Sequence, residues 1–434
     1  MNPSPAAPPP HDPYAALRVP DFQRFISARV LFTVATQIQG VVVGWQIFKL
    51  TNDPLALGLI GLAEAIPSIS VSLYAGHVAD SVRRKRIIVP SVLVLFMCAV
   101  ALWWLSHPEQ EQWLKAGRLY LEAFHTAIIW PLYLLIFISG IARGFLGPAV
   151  FSFMPQLLPS RELLPNAVTW NSTTWQAGAV LGPAVGGLLF AHKGQEFAYG
   201  VDMVMEGLAL LLFVSIASRE LPPIEGERLS LGESILSGAK FIFSNQIVLA
   251  ALSLDMFAVL FGGAVALLPV FAKDILHAGP EALGYLRAAP SVGSVLMAAF
   301  LTFSPLKTGA GRKLLWAVAG FGLATIAFAL STNLYLSLFL LFLTGVFDSV
   351  SVIVRQTLVH TYTPEYMKGR VAAVNNIFIG SSNEIGGFES GATAKLMGTV
   401  PSVVFGGIMT VLVVGTTAAL AGKLRKLDMG AGKK

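Results

Sequence analysis

About twelve stretches of the chain, at 23–49, 55–79, 87–106, 128–150, 168–192, 197–217, 246–272, 281–303, 313–331, 334–358, 371–395 and 401–422, are apolar enough to cross a hydrocarbon core, which takes about 20 residues as a helix. Backbone inside a bilayer must satisfy its own hydrogen bonds, so so many apolar runs confine the chain to a bundle of membrane-spanning helices. Composition agrees. The 434 residues are 55% hydrophobic and 12% charged, about half the charged share of an ordinary soluble chain. The expected class is an all-α polytopic membrane protein.

The net charge of +6 reflects topology and not a nucleic-acid partner, because Lys and Arg gather in short connections and in the run from Lys423 to Lys434. With both termini on the cytoplasmic side, the basic connections Arg83 to Arg86, Arg161, Arg219 and Arg228, Lys240, Lys307 with Arg312 and Lys313, Lys368 with Arg370, and the C-terminal run are all cytoplasmic. The stretch Met1 to Pro13 is Pro-rich and lacks the apolar core of a cleavable signal peptide. The single cysteine, Cys98, rules out an intrachain disulfide or a thiolate metal cluster.

A weak internal repeat divides the chain into two six-helix halves. Pro159 to Leu163 followed by Ala167 to Asn171 parallels Thr363 to Met367 followed by Val371 to Asn375, and Pro54 to Gly58 parallels Pro280 to Gly284. The organisation expected is a cytoplasmic tail (1–21), an N-terminal bundle (22–217), a cytoplasmic linker (218–245), a C-terminal bundle (246–422) and a second tail (423–434). Within the linker, Leu231, Ile235, Leu236, Phe241 and Phe243 suit either an amphipathic surface helix or a plain connection. The repeat offsets leave extra sequence in the first half at about 106–127, read as a surface-lying helix, a partner contact or a tolerated insertion.

Two motifs carry a resemblance. Between the second and third spans, Gly76 lets helix ends approach, Asp80 can accept hydrogen bonds from a helix N-terminus, and Arg83, Arg84, Lys85 and Arg86 hold the loop in the cytoplasm. In the fifth span, Gly178, Gly182 and Gly186 recur every four residues, with Pro183 and Gly187 beside them, a small-residue face for close packing. The first motif resembles the loop signature of the major facilitator superfamily, and the second resembles the fifth-helix signature of its drug/proton antiporters. From Phe22 to about Leu420 the chain is similar to the branch of enterobactin-exporter-like and macrolide-efflux-like carriers, through Leu254-Asp255 with Phe261 to Gly263, Phe347-Asp348 to Arg355, and Thr363 to Val371 with Asn375. The resemblance implies the major facilitator fold, alternating access, and a gating network of Gly76, Asp80, Arg83, Arg84, Arg355 and Arg370. Arg143 only partly matches the fourth-helix arginine motif of the antiporters.

Charges within apolar spans are costly and so mark cavities or partners. Arg29, Glu64, Arg143, Asp255, Arg287, Asp348, Arg355, Glu384, Glu389 and Lys395 lie there, with Arg287 and Lys395 placed near helix ends, where they could snorkel. Asp255, Asp348, Glu384, Glu64 and Arg143 are candidates for proton coupling, and the alternative for each is a structural ion pair. Arg29, Gln37, Trp45, Asn375 and Asn376, with Gln39, Gln46 and Asn383, are candidates for the substrate surface. There is no phosphate-binding Gly-Lys-Ser/Thr loop, and the histidines lack metal-ligand spacing. The reading is therefore a monomeric, non-enzymatic carrier in a bacterial cytoplasmic membrane, with no cofactor or metal. Its partners are a small molecule, protons and lipid, and it drives proton-coupled efflux of a drug, macrolide or siderophore. An uptake carrier for a nutrient or metal chelate, or a receptor or scramblase, is the alternative.

Overall fold

The computed structural model describes residues 12–122, 126–218, 231–303, 309–364 and 367–425, with the side chains of Gly76, Asp80 and Asn376 among those left undescribed. The first four spans are α1 (Pro20–Thr51), α2 (Pro54–Ser81), α3 (Lys85–Leu105) and α4 (Trp130–Phe153). The continuous helix Leu164–Ser215 folds back at Gly194, whose φ of 82° suits a residue without a Cβ, and so makes two spans, α5 (164–193) and α6 (195–215). The second half holds α7 (Gln246–Phe261), α8 (Pro280–Phe303), α9 (Ala310–Leu330), α10 (Leu334–Tyr362), α11 (Lys368–Met397) and α12 (Thr399–Leu420).

Ten described stretches are long and apolar enough to cross a membrane. One of these is the α5–α6 pair, and α11, with Glu384, Glu389 and Lys395 on it, completes the twelve spans that sequence suggests. The helix starts follow local chemistry. Asn52 closes α1 in the left-handed region that asparagine tolerates (φ 52°), and Asp53 accepts a hydrogen bond from the Leu55 amide (3.0 Å) ahead of Pro54, so a turn of Asn52 and Asp53 alone joins two spans. Asn245 and Asn333 cap α7 and α10 in the same way. Helix α7 stops at Gly262, and the span continues through short 3-10 and π turns to Ile275.

The extra sequence of the first half forms a short helix, Glu111–Ala116, and an antiparallel hairpin of β1 (Arg118–Leu121) and β2 (Thr126–Ile129) with Arg118 opposite Ile129. Of the forms expected for this segment, the surface-lying helix is present only as Glu111–Ala116, and the rest is the β-ribbon. Trp104, Trp113 and Trp130 meet edge-on at its base, with ring centres 6.2 and 6.0 Å apart. The helix Leu231–Ser244 precedes α7 and packs Ile242 against Val371 and Val374 of α11, while Leu236 and Phe243 stay exposed.

Five apolar clusters form the interior among the described residues, and one draws on both halves. It joins Val41, Phe48 and Leu57 to Leu267, Phe271, Leu283 and Phe328. The halves meet there backbone to backbone. A Cβ on Gly187 of α5 would sit 2.7 Å from the Gly284 Cα of α8, and one on Gly391 of α11 would sit 2.7 Å from the Gly58 Cα of α2. Lys395 Nζ reaches Asp53 Oδ2 (2.6 Å), and Lys273 Nζ donates to Asn52 Oδ1 (2.9 Å) across the same seam. The closure therefore lies at the Asn52 end of the bundle, opposite the basic connection of Arg83 to Arg86.

Candidate substrate cavity

Beneath that seam a cavity of about 670 Å³ runs between the halves. Its wall takes Thr36, Gln39, Gly40, Val43 and Gly44 from α1, Glu64 from α2, Arg143 from α4 and Trp175 and Gln176 from α5. The opposite wall takes Asp255 from α7, Arg287 from α8, Asp348 and Arg355 from α10, and Asn383 and Glu384 from α11. Both halves therefore present charge to one central space.

Small residues bring the N-terminal wall together. A Cβ on Gly140 would meet the Glu64 carbonyl oxygen at 2.6 Å, and one on Gly144 would meet Val71, so α4 lies against α2 and Arg143 projects beside Glu64. The Arg143 Nη1 forms an ion pair with Glu64 Oε1, and its Nη2 donates to Gln39 Oε1 at 3.3 Å. On the facing wall the Arg287 guanidinium lies against Gly40, 3.3 Å from where a Cβ would stand. Arg287 interacts electrostatically with both Glu64 and Glu384, and Glu384 with Glu64 and Arg143. Two carboxylates and two guanidiniums from four helices thus form one group at the cavity's centre.

A second group belongs to the C-terminal half. Arg355 Nη2 lies 3.2 Å from Asp255 Oδ2, and Arg355 Nη1 donates to Asn375 Oδ1 at 3.2 Å. Asp348, two turns before Arg355 on α10, faces the same pair. Arg355 is thus anchored within its own half. Arg370, expected beside it in a gating network, donates to Ser237 Oγ (3.4 Å) on the helix Leu231–Ser244. Arg83 is exposed, Arg84 is buried with Nε and Nη1 unpartnered among the described residues, and Asp80 and Gly76 lie outside the described side chains.

Of the substrate-surface residues expected on α1, Gln39 lines the cavity, while Gln37 and Trp45 sit elsewhere. Gln37 packs its Cβ where a side chain on Gly182 would stand (2.5 Å), and Trp45 meets Phe190 of α5 edge-on at 6.3 Å, so both face the α1–α5 contact and neither lines the cavity. The cavity stripe of α1 is displaced from them and runs through Thr36, Gln39, Gly40, Val43 and Gly44. Arg29 stacks over Trp175 at 5.8 Å, behind the wall. Asn375 serves Arg355, and Asn376 lies outside the described side chains. Arg287, expected to snorkel at a helix end, is a cavity residue because α8 begins at Pro280 and carries it inward two turns.

Sequence reasoning overlooked Asp202 and Glu206, both on α6 and almost wholly buried. Gln39 Nε2 donates to Asp202 Oδ2 at 3.4 Å, and Tyr199 of the same helix donates its hydroxyl to Gln46 Oε1 at 2.7 Å. The signal was available as two acids four residues apart inside an apolar run.

The model of the Major Facilitator Superfamily matches residues 25–387. Among curated relatives, an enterobactin exporter of Shigella boydii serotype 18 is 26% identical over 406 residues, covering 92% of this chain and 91% of the relative. One of Citrobacter koseri is 26% identical over 412 residues, covering 94% and 93%. A solved POT family transporter in complex with 5-aminolevulinic acid superposes with a TM-score of 0.71 at 11% identity over 93% of this chain and 96% of that one. An inward-facing bacterial homologue of the iron transporter ferroportin gives 0.69 at 15% identity over 95% and 100%. At such identities the structures speak for the fold alone.

Proposed function

Since the chain belongs to the Major Facilitator Superfamily and is a multi-pass membrane transporter of a small molecule, we propose that it exports a siderophore-like amphipathic compound across a bacterial cytoplasmic membrane in exchange for protons. The observation that carries this reading is the pair of enterobactin exporters matched over more than nine-tenths of both lengths. The cavity suits such a cargo. Arg143, Arg287 and Arg355 offer fixed positive charge to acidic phenols or carboxylates, and Val43, Leu57, Ile60, Phe321 and Phe328 offer apolar wall to rings.

Both termini and the basic connection Arg83 to Arg86 stand on the cytoplasmic side in this reading, as the distribution of Lys and Arg favours. The seam at Asn52, Asp53, Lys273 and Lys395 is then the external gate, closed here, and the cavity awaits cargo from within. Gly76, Asp80, Arg83, Arg84 and Arg370 belong to the opposite gate, which closes when the halves rock. Glu64, Arg143 and Glu384 are the charges that exchange partners as cargo and proton alternate, with Asp255 and Asp348 supporting Arg355.

Liposomes reconstituted with the purified protein test both parts. Enterobactin should accumulate in vesicles acidified inside, and a protonophore should abolish the accumulation. No enterobactin uptake against protein-free vesicles overturns the cargo, and uptake indifferent to the protonophore overturns the coupling.

A further inference from the structure

Asp202 and Glu206 sit one turn apart on the same face of α6, exposed by 0% and 1%, and neither lines the cavity. Asp202 Oδ1 and Glu206 Oε2 have no hydrogen-bond partner among the described residues. Buried carboxylate oxygens are nearly always satisfied, so two orphans one turn apart point to something the protein binds there. The charge balance says the same. The network of this half holds three carboxyls, the cavity-lining Glu64 and the buried Asp202 and Glu206, against one guanidinium, Arg143, which pairs with Glu64 and shares its charge with Asp202 and Glu206. The other titratable groups facing the pair are Tyr199 of α6 itself and the Cys98 thiol of α3, while α1 contributes only the amides of Gln39 and Gln46. None of these supplies a compensating cation.

We propose that Asp202 and Glu206 together form a proton-binding site, remote from the cargo and linked to the cavity through Gln39. A proton on one carboxyl removes an uncompensated charge and turns an orphaned acceptor into a donor. A metal ion fits less well. Hard cations take six or more oxygens, and no group of three or more ligating side chains gathers among the described residues. Gln39 makes the link directional, since its amide nitrogen donates to Asp202 while its carbonyl oxygen accepts from Arg143 at the cavity wall. Loss of the proton strengthens the pull of Asp202 on the Gln39 amide and, through it, alters the grip of Arg143 on Glu64. The site's role as the coupling site rests on the proton-driven export proposed above, whereas its existence does not.

The test reads the proton without cargo. Infrared spectroscopy of the purified protein in liposomes detects the carbonyl stretch of a protonated carboxyl, which a carboxylate lacks. The expected result is loss of one carboxyl's share of that band in Asp202→Asn/Glu206→Gln, and an unchanged band in the folded double variant overturns the site. Gln39→Leu keeps both carboxyls and serves if the double variant does not fold; the band should persist but move in frequency, and a band that does not move overturns the link. A melting temperature raised by NaCl over choline chloride in the wild type, and not in the double variant, overturns the proton in favour of a metal cation. A band lost as expected in a protein whose transport ignores pH gradients keeps the site and overturns only its coupling role. Proton-driven transport with an unchanged band overturns the site alone.

Discussion

Asp255 lies 3.2 Å from Arg355, with 7% and 4% of the two side chains exposed, and Arg355 is held on its other flank by Asn375. Removing one partner of such a pair strands a buried charge, so Asp255→Asn should cost about 3–5 kcal/mol and lower the melting temperature, whereas Asp255→Leu with Arg355→Met should recover most of the loss. An Asp255→Asn protein that melts like the wild type would show that the pair does not hold α7 to α10. Glu384 is placed otherwise. It has no ion pair or hydrogen bond among the described residues, faces the cavity, and shares its electrostatic neighbourhood with Arg287, Arg143 and Glu64. Glu384→Gln should therefore leave melting close to that of the wild type yet suppress transport against a gradient while downhill exchange continues. Purified variants compared by thermal unfolding and by paired uphill and exchange assays separate the two outcomes. Full uphill transport by Glu384→Gln would remove it from coupling.

At the scale of helices, the stripe of Gly178, Gly182 and Gly186 on α5 receives Thr33, Gln37 and Ile38 of α1, with Cβ positions 2.5 to 3.0 Å from their atoms. That face binds α5 within its own half. Gly187, one residue on, turns to the other half and meets Gly284. Gly182→Leu should then destabilise the N-terminal half, by about 1–3 kcal/mol for an overpacked contact, and lower the melting temperature. Gly187→Val should leave the half intact but prop open the seam, which labelling of Thr36→Cys by an impermeant maleimide from the Asn52 side would report. Equal labelling with and without Gly187→Val would place that contact outside the gate. The spans and the glycine spacing were legible in sequence because each depends on residues near one another in the chain, apolar runs for the first and a four-residue period for the second. What a given face meets was not. The period of α1 offered Gln37 and Trp45 as readily as Gln39 and Gly40, and only the position of α5 decides between them. Arg287 looked terminal because it stands early in the expected span 281–303, yet two turns of α8 suffice to carry it into the cavity, and the hairpin of β1 and β2 carried no hydrophobic period strong enough to announce it.

Taken as a whole, the molecule is two bundles held at one end by a seam of mixed strength. Its apolar part, Phe48 and Leu57 against Leu267 and Phe271, is buried, and its ionic part, Lys395 with Asp53, is partly exposed on the lysine side. An ion pair of that exposure contributes at most about 1 kcal/mol, too little to hold the halves together but enough to bias a balanced two-state rocking. Asp53 also caps α2 through the Leu55 amide, so replacing it would confound gate and helix. Lys395→Asp avoids that, sets two carboxylates face to face, and should shift the population of the state open at the Asn52 end by about fivefold, the equivalent of 1 kcal/mol. Spin-label distances across the seam, measured on wild type and variant in the same liposomes, would read the shift directly. The paired replacement Asp53→Lys with Lys395→Asp should return the distribution toward that of the wild type, less the cost of the lost cap. Distances that stay the same in Lys395→Asp would mean that the apolar contacts and the glycine crossings alone set the gate, and that its ionic part has no bearing on which face is open.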